Sequence, residues 1–307
     1  MPDCSVAEVL HLLGTEPGGR ILTELGYGPL RTKQLTERVR EFSARSIYRS
    51  LGKLESFGLI DRCEEPGTPS KVLLRLTEPA GRNLFRLRRT FGATPGEELC
   101  LLAELWEPGF VEELSRGPRS LMDLLEKPHH LTYHQVKRRT HMSVESGLLS
   151  TSLPKGHGNR YELAARGRRQ MGLVAAIGRW RQRHLLPGEV PGLEVEEMAT
   201  ALRAMLPLTL LPAHPETRID LIVTGAEEYG HRPTATVAGR VGPEGAVRFD
   251  PRPEREAGGS ASATISTWFA ALLDGHRGRI RVRGDLGLVD SCVTQLHEAL
   301  WEETGAP

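Results

Sequence analysis

Two short segments of the chain concentrate side chains that can donate hydrogen bonds to a polyanion. One runs from Ser43 to Lys53 and the other from Thr132 to His141. Arginine can hold a guanine edge with two hydrogen bonds and glutamine can hold adenine, whereas lysine and hydroxyl groups more often contact phosphate. These residue types therefore favour recognition of a nucleic acid, although the faces of ordinary solvated helices also carry such residues.

Particular roles follow if each segment is a recognition helix, which turns the face opposite its apolar stripe into the major groove. We predict base contacts from four residues, namely Arg45, Arg49, Gln135 and Arg138. We expect backbone contacts from four cations, namely Lys33, Lys53, Lys137 and Arg139. The other candidates in the two segments and in the second wing are Ser43, Ser46, Tyr48, Thr132, Tyr133, His134, Lys155 and Arg160.

Both segments belong to an internal repeat whose two copies are 89 residues apart. Gly28-Pro29 recurs as Gly117-Pro118, and Gly58-Leu59 recurs as Gly147-Leu148. The offset stays at 89 from the first of these motifs to the second. Further on, Gly81 corresponds to Gly167, at an offset of 86. Because loops tolerate changes of length, we expect the second copy to be three residues shorter in one loop.

Each copy carries the local signals of three helices and a β-hairpin. In the first copy, Ser43 is a candidate N-cap, and Ile47, Leu51 and Leu54 follow at helical spacing. Gly58 stands where a helix ends in the left-handed conformation, and a Pro/Gly turn beyond it separates two short strands. This order is the plan of a winged helix-turn-helix, which we expect in both copies.

The first copy resembles the HxlR-type winged-helix transcriptional regulators over residues 4 to about 88. The motifs that carry the resemblance are Leu12-Leu13-Gly14, Ile21-Leu22-Thr23-Glu24-Leu25, Gly28-Pro29, Gly58-Leu59-Ile60 and Leu76-Thr77-Glu78-Pro79-Ala80-Gly81-Arg82. The resemblance implies a winged-helix fold, double-stranded DNA as the partner and a role in transcription. The second copy is recognisable mainly through the first.

The last third of the chain resembles the sterol carrier protein fold. The resemblance rests on residues 261–301, with Trp268-Phe269-Ala270-Ala271-Leu272-Leu273-Asp274-Gly275 before Gly278-Arg279-Ile280-Arg281-Val282-Arg283-Gly284-Asp285-Leu286. It implies an apolar tunnel that would take an apolar small-molecule effector. The residues expected to line the tunnel are Trp268, Phe269, Leu272, Leu286, Val289 and Val293. The alternatives are a closed core and a surface for dimerisation or partner binding.

The predicted fold class is α+β, with two tandem winged helices at residues 1–90 and 91–187 and an antiparallel-sheet domain at residues 195–303. The balance of basic and acidic residues differs between the winged-helix part of the chain and the last domain. Residues 1–187 contain 29 Lys and Arg against 21 Asp and Glu, whereas residues 188–307 contain 11 against 18. A basic half beside an acidic half suggests that only the first meets a polyanion. A homodimer through residues 166–186 is also conceivable, the alternative being that these residues pack on the chain's own core.

The sequence lacks the signals of an enzyme, a metalloprotein or a membrane protein. It contains no phosphate-binding loop, dinucleotide fingerprint, nucleophile elbow or zinc-protease motif, so no catalytic residue or cofactor is predicted. The four cysteines form no C-x-x-C pair, and the histidines match no zinc spacing, so no metal is predicted. Without a membrane-spanning run or a signal peptide, we expect a cytoplasmic protein. The alternative function is a winged-helix interaction module whose C-terminal domain dimerises.

Overall fold

The computed structural model describes most of the chain, in eleven ranges. These are residues 5–14, 16–65, 71–90, 94–106, 109–126, 131–152, 158–184, 193–211, 217–225, 232–251 and 257–301. The chain forms two compact units, the first comprising residues 1–104 and 177–187 and the second comprising residues 105–176 and 188–307. The two units do not test the predicted domain limits at 1–90, 91–187 and 195–303, which stay a prediction. None of the helices in the described ranges is long and apolar enough to cross a bilayer.

The first unit combines helices with a three-stranded antiparallel sheet of order β1-β3-β2. Its helices are α1 (Val6–Gly14), α2 (Glu16–Gly26), α3 (Thr32–Arg38), α4 (Ala44–Ser56) and α5 (Ala80–Thr90), and α6 (Gly96–Trp106) begins in it. Its strands are β1 (Leu30–Arg31), β2 (Ile60–Glu65) and β3 (Lys71–Leu76).

Helix α4 forms where the sequence signals predict it. The Ser43 hydroxyl accepts a hydrogen bond from the Ser46 backbone N–H, which satisfies one of the free donors of the first turn. The predicted stripe of Ile47, Leu51 and Leu54 is buried, and α4 packs on α2. The helix ends before Gly58, which has φ 66°. The predicted helix and its inner face are therefore confirmed.

Loss of the Ser43 cap should destabilise the first unit. We expect Ser43→Ala to lower the free energy of unfolding by about 1 kcal/mol, because the Ser46 N–H loses its partner. Urea unfolding followed by circular dichroism measures the change. The control is Ser56→Ala in the last turn of α4, where the exposed hydroxyl bonds only to the Lys53 carbonyl. An equal effect of both substitutions would contradict the capping role of Ser43.

The second unit repeats the order of elements from α2 to α5, with an isolated bridge between Arg119 and Tyr161 in the place of β1. Its first part contains α7 (Phe110–Ser115), α8 (Leu121–Leu125), α9 (Tyr133–Glu145), β4 (Leu149–Ser152), β5 (Arg160–Leu163) and α10 (Ala165–Arg169). Helix α11 (Met171–His184) follows, and its residues from Ile177 onward belong to the first unit. Helix α9 begins and ends 89 residues after α4. Gly147 has φ 74°, close to the 66° of Gly58. The Thr77 N–H donates to Leu59 O, and the Ala164 N–H donates to Leu148 O, each at 3.0 Å.

The expected three-residue shortening of the second copy is not confined to one loop. Ile60 pairs with Leu76 in the first hairpin and Leu149 pairs with Leu163 in the second, so the offset falls from 89 to 87 within the hairpin. One further residue is lost between the second strand and the helix that follows it, where Gly81 corresponds to Gly167. The prediction of a single shortened loop was therefore wrong, because the strand register divides the deletion.

The inner face of α9 is more polar than that of α4. The residues equivalent to Ile47, Leu51 and Leu54 are Val136, Thr140 and Ser143, all buried. The Thr140 hydroxyl donates within its own helix to the Val136 and Lys137 carbonyls. The helix therefore keeps its period but buries less apolar surface on this stripe.

The second part of this unit packs a five-stranded sheet against helices. The elements are α12 (Leu193–Met205), β6 (Arg218–Thr224), β7 (Thr234–Val241), β8 (Val247–Phe249), β9 (Gly259–Thr264), α13 (Ile265–Asp274), β10 (Arg281–Gly284) and α14 (Leu286–Trp301), with a 3₁₀ turn at Leu206–Leu208. The strand order is β10-β9-β6-β7-β8. One face of the sheet, including Ile219, Leu221 and Val237, is buried against α12, α13 and α14.

The sheet is antiparallel, as expected, except for one pair of strands. Strands β6 and β9 run parallel, with Ile219 beside Gly259 and Val223 beside Ala263. The other pairs are antiparallel. The parallel pair arises because the connection after β8 returns the chain to the side of β6 that does not pair with β7. The coarser expectation of a mixed α and β fold is confirmed.

Candidate nucleic-acid interface

Helix α4 presents the predicted reading face to solvent. Arg45, Tyr48 and Arg49 are exposed opposite the buried stripe, and Tyr48 is 57% exposed. Ser46 is half-buried beside the cap. Lys53 is also half-buried, because its ammonium lies 5.4 Å from the centre of the Phe57 ring. The two arginines are thus the strongest hydrogen-bond donors on the open face of α4.

Helix α9 presents a comparable face in the second unit. The exposed residues at and after its N-terminus are Thr132, Tyr133, His134, Gln135, Lys137 and Arg138. The Thr132 hydroxyl caps the helix by accepting from the Gln135 N–H, as Ser43 caps α4. His141 is exposed and faces Glu145, with 3.4 Å between His Nε2 and Glu Oε1.

Gln135 is already used as part of the helix cap. Its side-chain oxygen accepts from the Thr132 backbone N–H at 2.8 Å and from the Thr132 hydroxyl at 3.0 Å. A two-bond contact with adenine needs that oxygen as an acceptor as well as the amide N–H as a donor. Gln135 can therefore make this contact only by leaving the cap.

The predicted phosphate contact of Arg139 is wrong in this structure. The side chain is only 9% exposed, because Arg139 is three residues after the buried Val136 and so lies on the inner side of α9. The equivalent residue in the first copy, Ser50, is half-buried. Lys137 remains an exposed cation on this helix.

The other predicted contacts surround the two helices. Lys33 is exposed in the first turn of α3. Arg160, at the start of β5, is half-buried, and its Nη1 lies 3.5 Å from the Pro118 carbonyl. Lys155 lies outside the described residues.

Sequence reasoning did not identify the ionic pairs of the first hairpin. Arg62 donates to Glu55 at 2.6 Å, and Arg75 donates to Asp61 at 2.8 Å. The hydrogen bond that Arg62 donates to the Glu55 carboxylate is the main cause that raises the pKa of Arg62. The direct pairing of Asp61 with Arg75 across two strands could have been predicted from the hairpin register. Both arginines are therefore neutralised locally, and the exposed Arg45 and Arg49 of α4 are not part of these pairs.

The residues predicted to form an apolar site are divided between core and surface. Trp268, Phe269, Leu272, Val289 and Val293 are buried, and the Trp268 ring N–H donates to the Ile222 carbonyl at 3.1 Å. Leu286 is 65% exposed, so its predicted place in the lining is wrong. It is the first residue of α14, and its side chain there is not covered by another element. The residues of the proposed dimer helix, Met171, Val174 and Ile177, are buried within the single chain.

The described residues contain no metal-binding cluster, and the most deeply buried of their thiols is not reactive. No group of three or more His, Cys, Asp and Glu side chains is arranged to hold a metal ion within the ranges that the structure covers. Burial raises the pKa of Cys292 to about 12, so its thiol stays protonated at neutral pH and is a poor nucleophile.

Comparison with known proteins agrees with the geometry of the first copy. A family model described as HxlR-like helix-turn-helix matches residues 12–92. An uncharacterized HTH-type transcriptional regulator of Methanothermobacter thermautotrophicus is 35% identical over 75 residues, which are 24% of this chain and 57% of that protein. The HTH-type transcriptional regulator YodB of Bacillus subtilis is 37% identical over 94 residues, which are 29% of this chain and 84% of YodB.

The family model covers α2 to α5 and the sheet between them, which include the capped helix α4 and its exposed arginines. The chain spans 57% of the length of the archaeal relative and most of YodB. From this coverage and identity, the chain belongs to the HxlR-like helix-turn-helix family.

Proposed function

We propose that the protein is a DNA-binding transcriptional regulator in which α4 and α9 both read double-stranded promoter DNA. The observation that carries the proposal is the repetition of one arrangement. Each helix starts at a hydroxyl cap, exposes cationic residues opposite its buried stripe, and is followed by a glycine of positive φ and a β-hairpin. The relatives that bear the name of transcriptional regulators support this use of the first copy.

The proposal includes a tandem layout, with winged helices at residues 1–90 and 91–187 and a regulatory domain at residues 195–303. The two reading faces differ, since α4 offers Arg45 and Arg49 while α9 offers Lys137 and Arg138. A single chain would then read two unlike half-sites, and its operator need not be palindromic.

Fluorescence anisotropy on DNA upstream of the protein's own gene tests the proposal. The comparison is scrambled DNA of the same length, across a salt series. Sequence-preferring binding that survives physiological salt supports the regulator. Equal binding to both duplexes that collapses with salt would leave only a basic surface. That result would favour the alternative, an interaction module whose C-terminal domain dimerises.

An apolar small-molecule effector is the second part of the proposal. Its support is the buried apolar cluster of α13 and α14, where Trp268, Leu272 and Val293 are at most 1% exposed. A ligand entering there must separate the two helices, which would change the surroundings of the Trp268 ring. A fatty acyl probe should therefore shift tryptophan emission in the wild-type protein but not in Trp268→Phe. Emission that does not respond to the probe would count against the effector.

A further inference from the structure

The outer face of the five-stranded sheet is unusually rich in arginine. This face is the one that α12, α13 and α14 leave uncovered, and its five arginines come from four strands. They are Arg218, Arg240, Arg248, Arg281 and Arg283. Arg218 pairs in register with Arg240, and Arg240 pairs with Arg248. Three cations thus stand in line across adjacent strands, which are about 4.8 Å apart.

Aspartates neutralise only two of these arginines. Asp220 accepts two hydrogen bonds from Arg218, at 2.7 and 2.6 Å. Asp250 accepts from Arg240 at 2.9 Å. Arg248, Arg281 and Arg283 are exposed and form no ion pair with any residue in the described ranges. The face therefore keeps three cations for an external partner.

This charge contrasts with the surrounding part of the chain. Residues 188–307 contain 11 basic and 18 acidic residues, and among those that the structure describes five arginines and two aspartates, Asp220 and Asp250, lie on this face. The two aspartates balance Arg218 and Arg240, so the uncompensated charge of the face lies on Arg248, Arg281 and Arg283. A surface that keeps positive charge within an otherwise acidic part of the chain favours an anionic partner.

The neutral residues of the face indicate what kind of anion it fits. Much of the remaining surface carries hydroxyl groups, from Thr234, Thr236, Ser260 and Ser262. The strands have no aromatic side chain on this side, so the face cannot stack bases and lacks the aromatic anchors of many protein interfaces. Arginine and hydroxyl groups are the side chains that hold phosphate oxygens.

We propose that the outer sheet face is a second phosphate-binding surface, which contacts the backbone of duplex DNA beyond the bases read by α4 and α9. This inference rests on the proposed function, because it assumes that the protein binds a duplex. The face adds affinity without sequence information and lengthens the DNA segment that the protein occupies.

The test is the salt dependence of binding by the triple variant Arg248→Ser/Arg281→Ser/Arg283→Ser. Each phosphate contact contributes about 0.9 to the slope of log Kd against log salt concentration. We expect the variant to lose about 2.7 from that slope on a duplex that extends well beyond the bases read by α4 and α9, and much less on a duplex trimmed to those bases. The control, Arg86→Ser/Arg166→Ser/Arg183→Ser, removes the same charge from exposed sites elsewhere and should leave the slope near that of the wild type.

Two failures can be told apart. If the wild-type protein shows no sequence-preferring binding, the proposed function itself fails. If the wild type binds its promoter and the triple variant keeps the same slope on the extended duplex, only the phosphate-binding face is overturned. Thermal unfolding of the variant is expected to match the wild type, because all three side chains are exposed and unpaired among the described residues.

Discussion

Replacing Gly81 or Gly167 with alanine should destabilise the protein by about 3 kcal/mol each, the range expected for a side chain forced into a packed backbone. A Cβ atom at Gly81 would lie closer than 3.0 Å to the Leu59 carbonyl oxygen. A Cβ at Gly167 would meet the Leu148 carbonyl oxygen in the same way. Both obstacles are main-chain atoms at the start of a hairpin, so neither can rotate away. Chemical unfolding of each variant measures the loss.

The matched control is Gly52→Ala on the exposed side of α4. Its Cβ would meet nothing within 4 Å, and alanine is the better helix former. We expect a gain of about 0.5 to 1 kcal/mol. If Gly81→Ala and Gly167→Ala were as stable as the wild type, the close approach of helix and hairpin described in both copies would be wrong.

The largest expected effect on DNA binding comes from Arg49→Ala and Arg138→Ala. Loss of an arginine that holds a guanine edge costs about 1 to 3 kcal/mol, which corresponds to a roughly 5- to 150-fold weaker Kd. If both helices read DNA, each substitution should relax the base preference in one half of the operator only. Binding to a set of single-base operator variants measures the two effects separately.

Arg49→Lys separates base reading from charge. Lysine keeps the positive charge but cannot reproduce the two-bond fork. We expect Arg49→Lys to retain most of the salt dependence and to lose the base preference. Should Arg138→Ala leave both the affinity and the base preference intact, α9 is not a reading helix, and the second copy has another role.

Local sequence signals were sufficient to predict the first copy and most of its exposed site. Ser43, the apolar stripe of α4 and Gly58 fix the ends and the inner face of that helix. The same signals placed Arg45 and Arg49 outward, because a side chain's face follows from its spacing to the stripe.

The sheet pairing could not be predicted, because it depends on contacts between distant parts of the chain. Neither β6 nor β9 carries a local mark of its parallel neighbour. Two other features were local and were missed. The spacing of Arg139 from Val136 places it inward, although its charge suggested exposure. Thr132 and Gln135 have the spacing of a capping box, which uses the Gln135 oxygen.

The polar inner face of α9 has a consequence for local stability. With Thr140 and Ser143 in the places that Leu51 and Leu54 occupy in α4, the helix is held by less apolar burial. Regions held in this way open at a lower free energy than the rest of a protein, and their amide protons exchange with solvent sooner. The amides of α9 would then exchange before those of α4 in the free protein. DNA binding to α9 would slow amide exchange more in α9 than in α4. The occupancy of the second half-site could then be followed residue by residue.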